Sequence, residues 1–436
     1  YTTEESSAAS DVYKRQTQAF ANGLVDDVIN RLARVPGLRV SSRGDSFTLD
    51  PNSASADVRK RLRVAMYIEG SVEIATDTIR VIVQIIDSAT GYHIQSRTFD
   101  HPRQDYFQVR DEVTALTVSS LRVTLPEDIQ ALSQASSHTP VFDAYVLYRR
   151  GVDELDKPGN ISTLGSALAW MDAALEADPE YAAAHAGKCR AYVVLYRETN
   201  DPDNINKAEV ACANALSRNP GLYVVHAALG DLYLRKGMYD ESEDAYSEAL
   251  RINPQSVDAM IFLADVYRLQ KRADQAEDLL RNALGLQPGN WRAYAALGHF
   301  YYRRGDYLDA AQQYETILSL DGRNERGLLG FAASLMAAGD FEGAAPVLAR
   351  AIDVRPDATN YSNLALMHYY LGRYDEAIEA IRSGLDLAPT DHLMWANLGD
   401  IFTAADKPED AHASYVRAKE LVDIELDVNP NDPVLL

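Results

Sequence analysis

A pattern of Leu-Gly, Tyr, Gly-x-Tyr, Tyr, Ala and Pro returns about every 34 residues through the last two-thirds of the chain. Its clearest copy is Tyr223–Ser256, where Leu229, Gly230, Tyr233, Gly237, Tyr239, Tyr246, Ala249 and Pro254 follow at fixed offsets. A unit this short cannot bury its apolar face alone, so it must stack on its neighbours. The closing prolines set the register: Pro179, Pro220, Pro254, Pro288, Pro356 and Pro389, with Gly322 in the remaining slot, at steps of 41, 34, 34, 34, 34 and 33 residues. Proline lacks an N–H and restricts the residue before it, so each one stops the second helix of its unit. Small residues stand where helix backbones approach: Gly230, Ala264, Gly298, Ala332, Ala365 and Gly399 in the first helices, and Ala249, Ala283, Ala351 and Ala418 in the second. Tyr233, Tyr267, Tyr301 and Phe402 read as the large side chains that fill the space left over, and Trp395 opens the last full unit.

The pattern resembles the tetratricopeptide repeat, a pair of antiparallel helices that stacks into an α-solenoid. Eight units run from about Pro140 to Pro430. The first two are widened by loops, around Lys157-Pro158-Gly159-Asn160 and around Asn200-Asp201-Pro202-Asp203-Asn204, both rich in turn and capping residues. The eighth has a long second helix, Pro408–Val428, and Val434-Leu435-Leu436 would open a ninth, so the chain reads as cut at this end.

Residues 17–125 follow other periods. Ala19–Arg34 has helical spacing in Phe20, Leu24, Val25, Val28, Ile29 and Leu32, closed by Pro36-Gly37, and Leu38–Ser41 reads as a short strand. Ala56–Leu62 predicts a helix. Ala65–Ile74, Thr78–Asp87 and His93–Asp100 predict three strands, with Ile79, Val81, Val83 and Ile85 facing away from Arg80, Ile82, Gln84 and Ile86, and a turn at Gly91. Tyr106–Val123 predicts a final helix, and residues 126–139 a linker. The expected fold is an α+β domain followed by an all-α superhelix of repeats. Phe20-Ala21-Asn22-Gly23-Leu24, Leu38-Arg39-Val40, Tyr67-Ile68-Glu69-Gly70-Ser71-Val72, Arg80-Val81 and Ile86-Asp87-Ser88-Ala89-Thr90-Gly91 carry a resemblance to the amino-terminal domain of TolB and its relatives. Similar TolB-like domains followed by repeats form the tails of bacterial class III adenylate cyclases and membrane-anchored winged-helix regulators, whose output domains lie upstream. Those relatives begin the domain with an apolar strand that this chain lacks. In its place stands Asp11-Val12-Tyr13-Lys14-Arg15-Gln16, which GAT GTG TAT AAG AGA CAG encodes, the end sequence a transposase leaves in sequencing libraries. Residues 1–16 therefore read as an artefact of that kind or as a disordered terminus.

The net charge of −22 is uneven. Residues 17–139 carry 13 basic and 15 acidic residues, whereas residues 140–436 carry 27 and 46. An acidic array repels nucleic acid and anionic membranes and favours a protein partner, while also serving solubility. Arg59-Lys60-Arg61-Leu62-Arg63 is the densest basic run and reads as a solvated helix face. The two cysteines, Cys189 and Cys212, fall in small-residue core slots of one unit, and two reduced, packed thiols are expected. No stretch of 18 apolar residues exists to span a membrane.

Chemistry is sparse. There is no phosphate-binding loop, no His-Glu-x-x-His and no Gly-x-Ser-x-Gly turn, and Asp201-Pro202-Asp203-Asn204 lacks the glycine and distal glutamate of a calcium loop. His185 and His226 fall at core-facing positions. No catalytic residue, metal or cofactor is assigned. In the repeat family the first helices line a groove through slots two, five, nine, twelve and thirteen. Carried onto this chain, those slots hold Arg268, Arg292, His299, Tyr302, Arg303, Tyr369 and Tyr370, an Arg/Tyr strip suited to an extended peptide with acidic groups. Asp231, Asp265, His299, Ala333, Leu366 and Asp400 occupy slot nine instead of the asparagines that clamp a chaperone C-terminus. The expectation is a non-catalytic interaction and sensory module of a bacterial signalling protein, placed on the periplasmic face of the inner membrane rather than in the cytoplasm. The alternatives are a cell-envelope scaffold and the regulatory tail of a nucleotide cyclase.

Overall fold

A computed structural model describes residues 17–29, 32, 40–41, 54–62, 64–75, 77–121, 139–155 and 161–428. The strand expected at Leu38–Ser41 (but for its last two residues), the loop at Lys157-Pro158-Gly159-Asn160, the segments 1–16 and 429–436 and all but the last residue of the 126–139 linker lie outside them. Two compact bodies divide the chain, one through Ala293 and one from Tyr294.

The first body opens with helix α1 (residues 17–29), α2 (Ser55–Leu62) and a three-stranded antiparallel sheet in the order β1 (Met66–Ile74), β2 (Thr78–Asp87), β3 (His93–Pro102). β1 pairs from Met66↔Asp87 to Ile74↔Ile79. Gly70 is needed there because a Cβ would stand 2.4 Å from the Ile82 carbonyl oxygen. Ile79, Val81, Val83 and Ile85 are buried as the alternation requires, but Ile86 is buried too, because a bulge between Ile85 and Ile86 shifts the β2–β3 register. The turn is held by the Asp87 carboxylate, which accepts from the Ala89 and Thr90 amides and the Thr90 hydroxyl. The Thr90 bonds hold its pKa below the usual value. α3 (Tyr106–Leu121) covers the inner face of this sheet. In α2, Arg59 and Lys60 are exposed while Val58 and Leu62 are buried, the arrangement of a solvated basic face.

Helical hairpins follow: α4 (Phe142–Leu155) with α5 (Ile161–Ala177), α6 (Ala182–Thr199) with α7 (Pro202–Arg218), α8 (Tyr223–Arg235) with α9 (Tyr239–Ile252), and α10 (Val257–Leu269) with α11 (Ala273–Leu286). α12 (Trp291–Arg304) starts the fifth repeat. The second body continues with α13 (Tyr307–Leu320), the pair α14 (Glu325–Ala337) and α15 (Phe341–Val354), the pair α16 (Ala358–Tyr370) and α17 (Tyr374–Leu387), and the pair α18 (His392–Ala404) and α19 (Pro408–Val428). The fold is thus a small sheet-containing region followed by eight solenoid-type repeats among the described residues.

The locking contact inside a repeat differs from the sequence expectation. Counting Tyr223 as position 1, the small residue stands at position 8. The side chain that fills its gap comes from position 24 of the second helix, not from Tyr233, Tyr267 or Tyr301. The Tyr246 ring lies over Gly230, and Tyr415 over Gly399. Tyr314 is clasped between Gly298 of its own repeat and Gly330 of the next. Met171 sits likewise between Gly151 and Gly187. Where position 8 is alanine, position 24 is aliphatic: Ala264 with Leu280, Ala332 with Leu348, Ala365 with Ile381. Small and large trade volume across one contact, which keeps the core at close-packed density.

In the third to eighth repeats, position 15 ends the first helix in the left-handed region. Gly237, Gly305, Gly339 and Gly372 have φ between 72° and 92°, while Lys271 and Asp406 take φ 64° and 57° at the same position. The second repeat corrects another expectation: Cys189 and Cys212 are joined as a disulfide between α6 and α7.

Candidate protein-interaction surface

The first repeat is not a separate body from the sheet region. Phe142, Tyr145 and Val146 of α4 belong to the same core as Phe20, Leu24, Val81, Val83 and Val109. The Phe20 and Phe142 rings lie 5.5 Å apart, and those of Tyr106 and Tyr145 5.2 Å. Polar bonds ring this core. Arg149 pairs with Asp26, the Tyr145 hydroxyl donates to Asp27 at 3.1 Å, Asn22 donates to Asp153 at 2.9 Å, and the Tyr106 hydroxyl donates to the Thr139 carbonyl at 2.6 Å. Burial opposes the charge on Arg149 most strongly, but Asp26 together with Tyr145, Tyr148 and Asp27 outweighs it and holds the guanidinium pKa above its ordinary value. Burial, and then Asp27, pushes the Tyr145 phenol up.

At the start of the first helices of the second, third and eighth repeats, position 4 has a bonding role that its apolar spacing does not announce. His185 Nε2 lies 3.2 Å from the Pro179 carbonyl, His226 Nε2 2.7 Å from the Pro220 carbonyl, and Trp395 Nε1 donates to the Pro389 carbonyl at 3.0 Å. A carbonyl only accepts, so each imidazole carries its proton on Nε2. These half-buried side chains close the preceding repeat rather than facing the core, as the sequence had implied for the two histidines. Burial depresses the His185 pKa.

The groove slots divide by body. In the first, three arginines face carboxylates of the surface, while Arg235 at slot thirteen of the third repeat is exposed. Arg190 bonds Asp231 at 3.2 Å, Arg268 bonds Asp265 at 2.6 Å, and Arg292 lies 3.9 Å from Asp258. Asp231 also accepts from the buried Tyr246 hydroxyl at 2.5 Å. Burial, then Asp231, raises the Tyr246 pKa well above its usual value. Asp400 accepts from Tyr415 at 2.6 Å in the same way. The slot-nine aspartates of the third and eighth repeats are thus internal acceptors for a tyrosine fifteen residues on. That pairing is visible in the sequence once the position-24 ring is recognised. Asp265, with Leu280 at position 24, turns to Arg268 instead.

In the second body the slots are aromatic. His299 and Arg303 are exposed. The half-buried Tyr302 ring lies 5.4 Å from Tyr307. Tyr369 contacts both Tyr370 and Tyr374, and Tyr370, 55% exposed, stacks on Phe341 at 4.6 Å. Between them along the register, the first helix α14 offers the half-buried Leu329, Ala333 and Met336 and the exposed Arg326, and α16 offers the exposed Leu366. Among the described residues no cluster of His, Cys, Asp or Glu could hold a metal ion, and no helix is long and apolar enough to cross a membrane.

Comparison with known proteins bears on the repeats. Residues 227–290, 272–325, 329–392 and 362–421 match the family described as Tetratricopeptide repeat. A protein named putative adenylate cyclase 3 from Rhizobium meliloti (strain 1021) is 32% identical over 238 residues, covering 52% of this chain; the match spans 39% of that relative's length. Among solved structures, the APC/C hetero-tetramer Cut9–Hcn1 is similar at 20% identity and a TM-score of 0.43, over 70% of this chain and 56% of that one. YrrB, described as a repeat protein with an unusual peptide-binding site, is similar at 18% identity and a TM-score of 0.34, over 42% of this chain and 95% of that one.

Proposed function

We propose that this chain, which carries tetratricopeptide repeats, is the partner-recognition part of a larger bacterial signalling protein. Its second body would take an extended peptide that presents apolar and acidic side chains. Repeats of this class mediate protein–protein contacts, and that much holds for the chain irrespective of the pathway. The observation that carries the finer reading is the contrast between the two bodies. In the first, Arg190 and Arg268 are bonded to the groove aspartates Asp231 and Asp265, and the exposed Arg235 has no aromatic side chain in the other slots of its repeat. In the second, the exposed Arg303 and Arg326 accompany Tyr302, Leu366, Tyr369 and Tyr370. Aromatic and arginine side chains on rigid helices lose little entropy on binding and are the usual anchors of interfaces. An acidic group on the peptide complements the arginines without meeting the acidity found elsewhere in the array.

The cyclase-named relative supports a nucleotide cyclase as the output domain of the longer protein, with the sheet region and repeats as its regulatory tail. The TolB-like and winged-helix resemblances belong to the same reading. Catalysis is assigned to that output domain and not to the repeats. The test is selection of a random peptide display library on the purified chain. Enrichment of peptides that combine acidic and apolar residues is expected, with at least tenfold weaker capture by Tyr302→Ala/Arg303→Ala/Tyr369→Ala. Equal capture by wild type and triple variant would overturn the assignment of the surface.

A further inference from the structure

We propose that the Cys189–Cys212 bond is a permanent covalent replacement for the locking contact of the other repeats, and that this chain therefore matures in an oxidising compartment. Cys189 stands at position 8 of the second repeat, the place of Gly230, Gly298 and Gly399. Counted back eight residues from its closing Pro220, Cys212 takes the place that Tyr246 has before Pro254 and Tyr314 before Gly322, position 24 of the shorter repeats. In the glycine-containing repeats a ring or a methionine fills the gap over position 8, and in the alanine-containing ones a leucine or isoleucine occupies position 24. A pair of reduced cysteines fits neither pattern. Cys212 is too short to act as the large partner, and Cys189 is no smaller than the alanines it replaces. Two unlinked thiols would leave this contact underfilled, at the cost that large-to-small core changes carry. A covalent bond removes the mismatch by drawing both side chains into one filled unit. The Cα atoms are 5.2 Å apart, inside the range a disulfide spans without backbone movement. The two helices it joins are the longest pair among the first seven repeats: the extra residues expected as a loop at Asn200–Asn204 lengthen α6 and α7 instead, and only Asn200 and Asp201 separate them. Here a crosslink across 23 residues adds most to holding the hairpin closed.

Burial sets when the bond forms. Cys189 and Cys212 are 0% and 1% exposed, and the Cys189 sulfur lies 3.8 Å from the Ala228 carbonyl of the next repeat. An oxidant reaches them only before the third repeat packs on. The chemistry requires an acceptor disulfide of a thiol oxidoreductase. One cysteine thiolate attacks it, forming a mixed disulfide and releasing one acceptor thiol. The second cysteine thiolate then displaces the other acceptor sulfur. Two protons and two electrons leave the chain, one S–S bond forms in it, one breaks in the acceptor, and the acceptor departs as a dithiol. Such bonds persist in oxidising compartments and are rare where thiol reductants are maintained.

The test uses the full chain in cells that naturally produce it, quenched with acid, denatured and alkylated with maleimide without reductant. Neither cysteine should take label, and a single linked peptide pair should appear on digestion. On the purified chain, reduction in denaturant followed by blocking should lower Tm by about 5 °C or more. The double variant Cys189→Gly/Cys212→Tyr, which installs the contact of the other repeats, should recover that loss and show no response to reductant. Labelling of both cysteines in the quenched cells would overturn the compartment. A Cys189→Ser/Cys212→Ser chain as stable as wild type would overturn the structural role.

Discussion

The first repeat and the fifth are the same helical hairpin held to its surroundings in two ways. At the centre of the fifth, one ring packs both ways: Tyr314 lies between Gly298 and Gly330, an apolar contact that ties the repeat to itself and to its successor. The first repeat is tied to the sheet region by a shared aromatic core ringed with a nearly buried Arg149–Asp26 pair and the Tyr145–Asp27 bond. The apolar lock depends on shape and repeats along the chain with small changes. The polar junction depends on individual partners and occurs where the array must end against a different fold. Solenoids need a cap at their termini, and here the sheet region provides one through α4.

Breaking the polar junction should have the largest effect. Asp26→Ala leaves the Arg149 guanidinium buried without its counter-charge and is expected to cost about 3–5 kcal/mol, read by denaturant unfolding of the full chain. The paired replacement Asp26→Leu/Arg149→Met should cost far less, because it removes both charges together. Next comes the apolar lock. Gly330→Ala places a Cβ 2.3–2.5 Å from Tyr314 ring atoms, and the rigid ring cannot yield, so a loss of about 1–3 kcal/mol is expected in the second body. Tyr246→Phe keeps the ring over Gly230 but removes the bond to Asp231, for about 1–2 kcal/mol. Its pH signature separates it from Gly330→Ala. The folded-state phenol of Tyr246 titrates above its unfolded value of 10.0, so its contribution is complete below that pH and is lost as pH rises beyond it. The phenylalanine variant should lose less stability than wild type between pH 10 and 11, measured by Tm. The smallest effect is a gain. Lys271 holds the left-handed position that glycine occupies in four other repeats, and Lys271→Gly should stabilise the fourth repeat by about 0.5–1 kcal/mol.

Much of this was legible in the sequence because the repeat imposes a register. The prolines and the Leu-Gly steps locate the hairpins, and the alternation in Thr78–Asp87 identifies the buried face of β2. What the period did not reveal was which large side chain answers each small one. Tyr233 and Tyr246 are both tyrosines at fixed offsets, and only packing shows that the second fills the gap over Gly230. For the same reason Cys212 reads as a small-residue position until position 24 is known to carry the large partner. The adjacent pair Ile85-Ile86 interrupts the alternation, but only the strand pairing shows the bulge that buries Ile86. Of the seven strip residues, Arg268 and Arg292 prove to face carboxylates of their own surface, because side-chain charge pairing depends on neighbours three to thirty-four residues away. Tyr302 and Tyr369 are half-buried against neighbouring rings, and Arg303 and Tyr370 are exposed.

We assign recognition to the first helices of the second body. Its most direct measurement is quantitative capture from the lysate of the source cells, by wild type and by Tyr302→Ala/Arg303→Ala/Tyr369→Ala, with Tm recorded for both. The account predicts that the triple variant keeps its Tm within about 2 °C, as expected for partly exposed positions, and loses the proteins that wild type retains. An unchanged capture profile at unchanged Tm would contradict it.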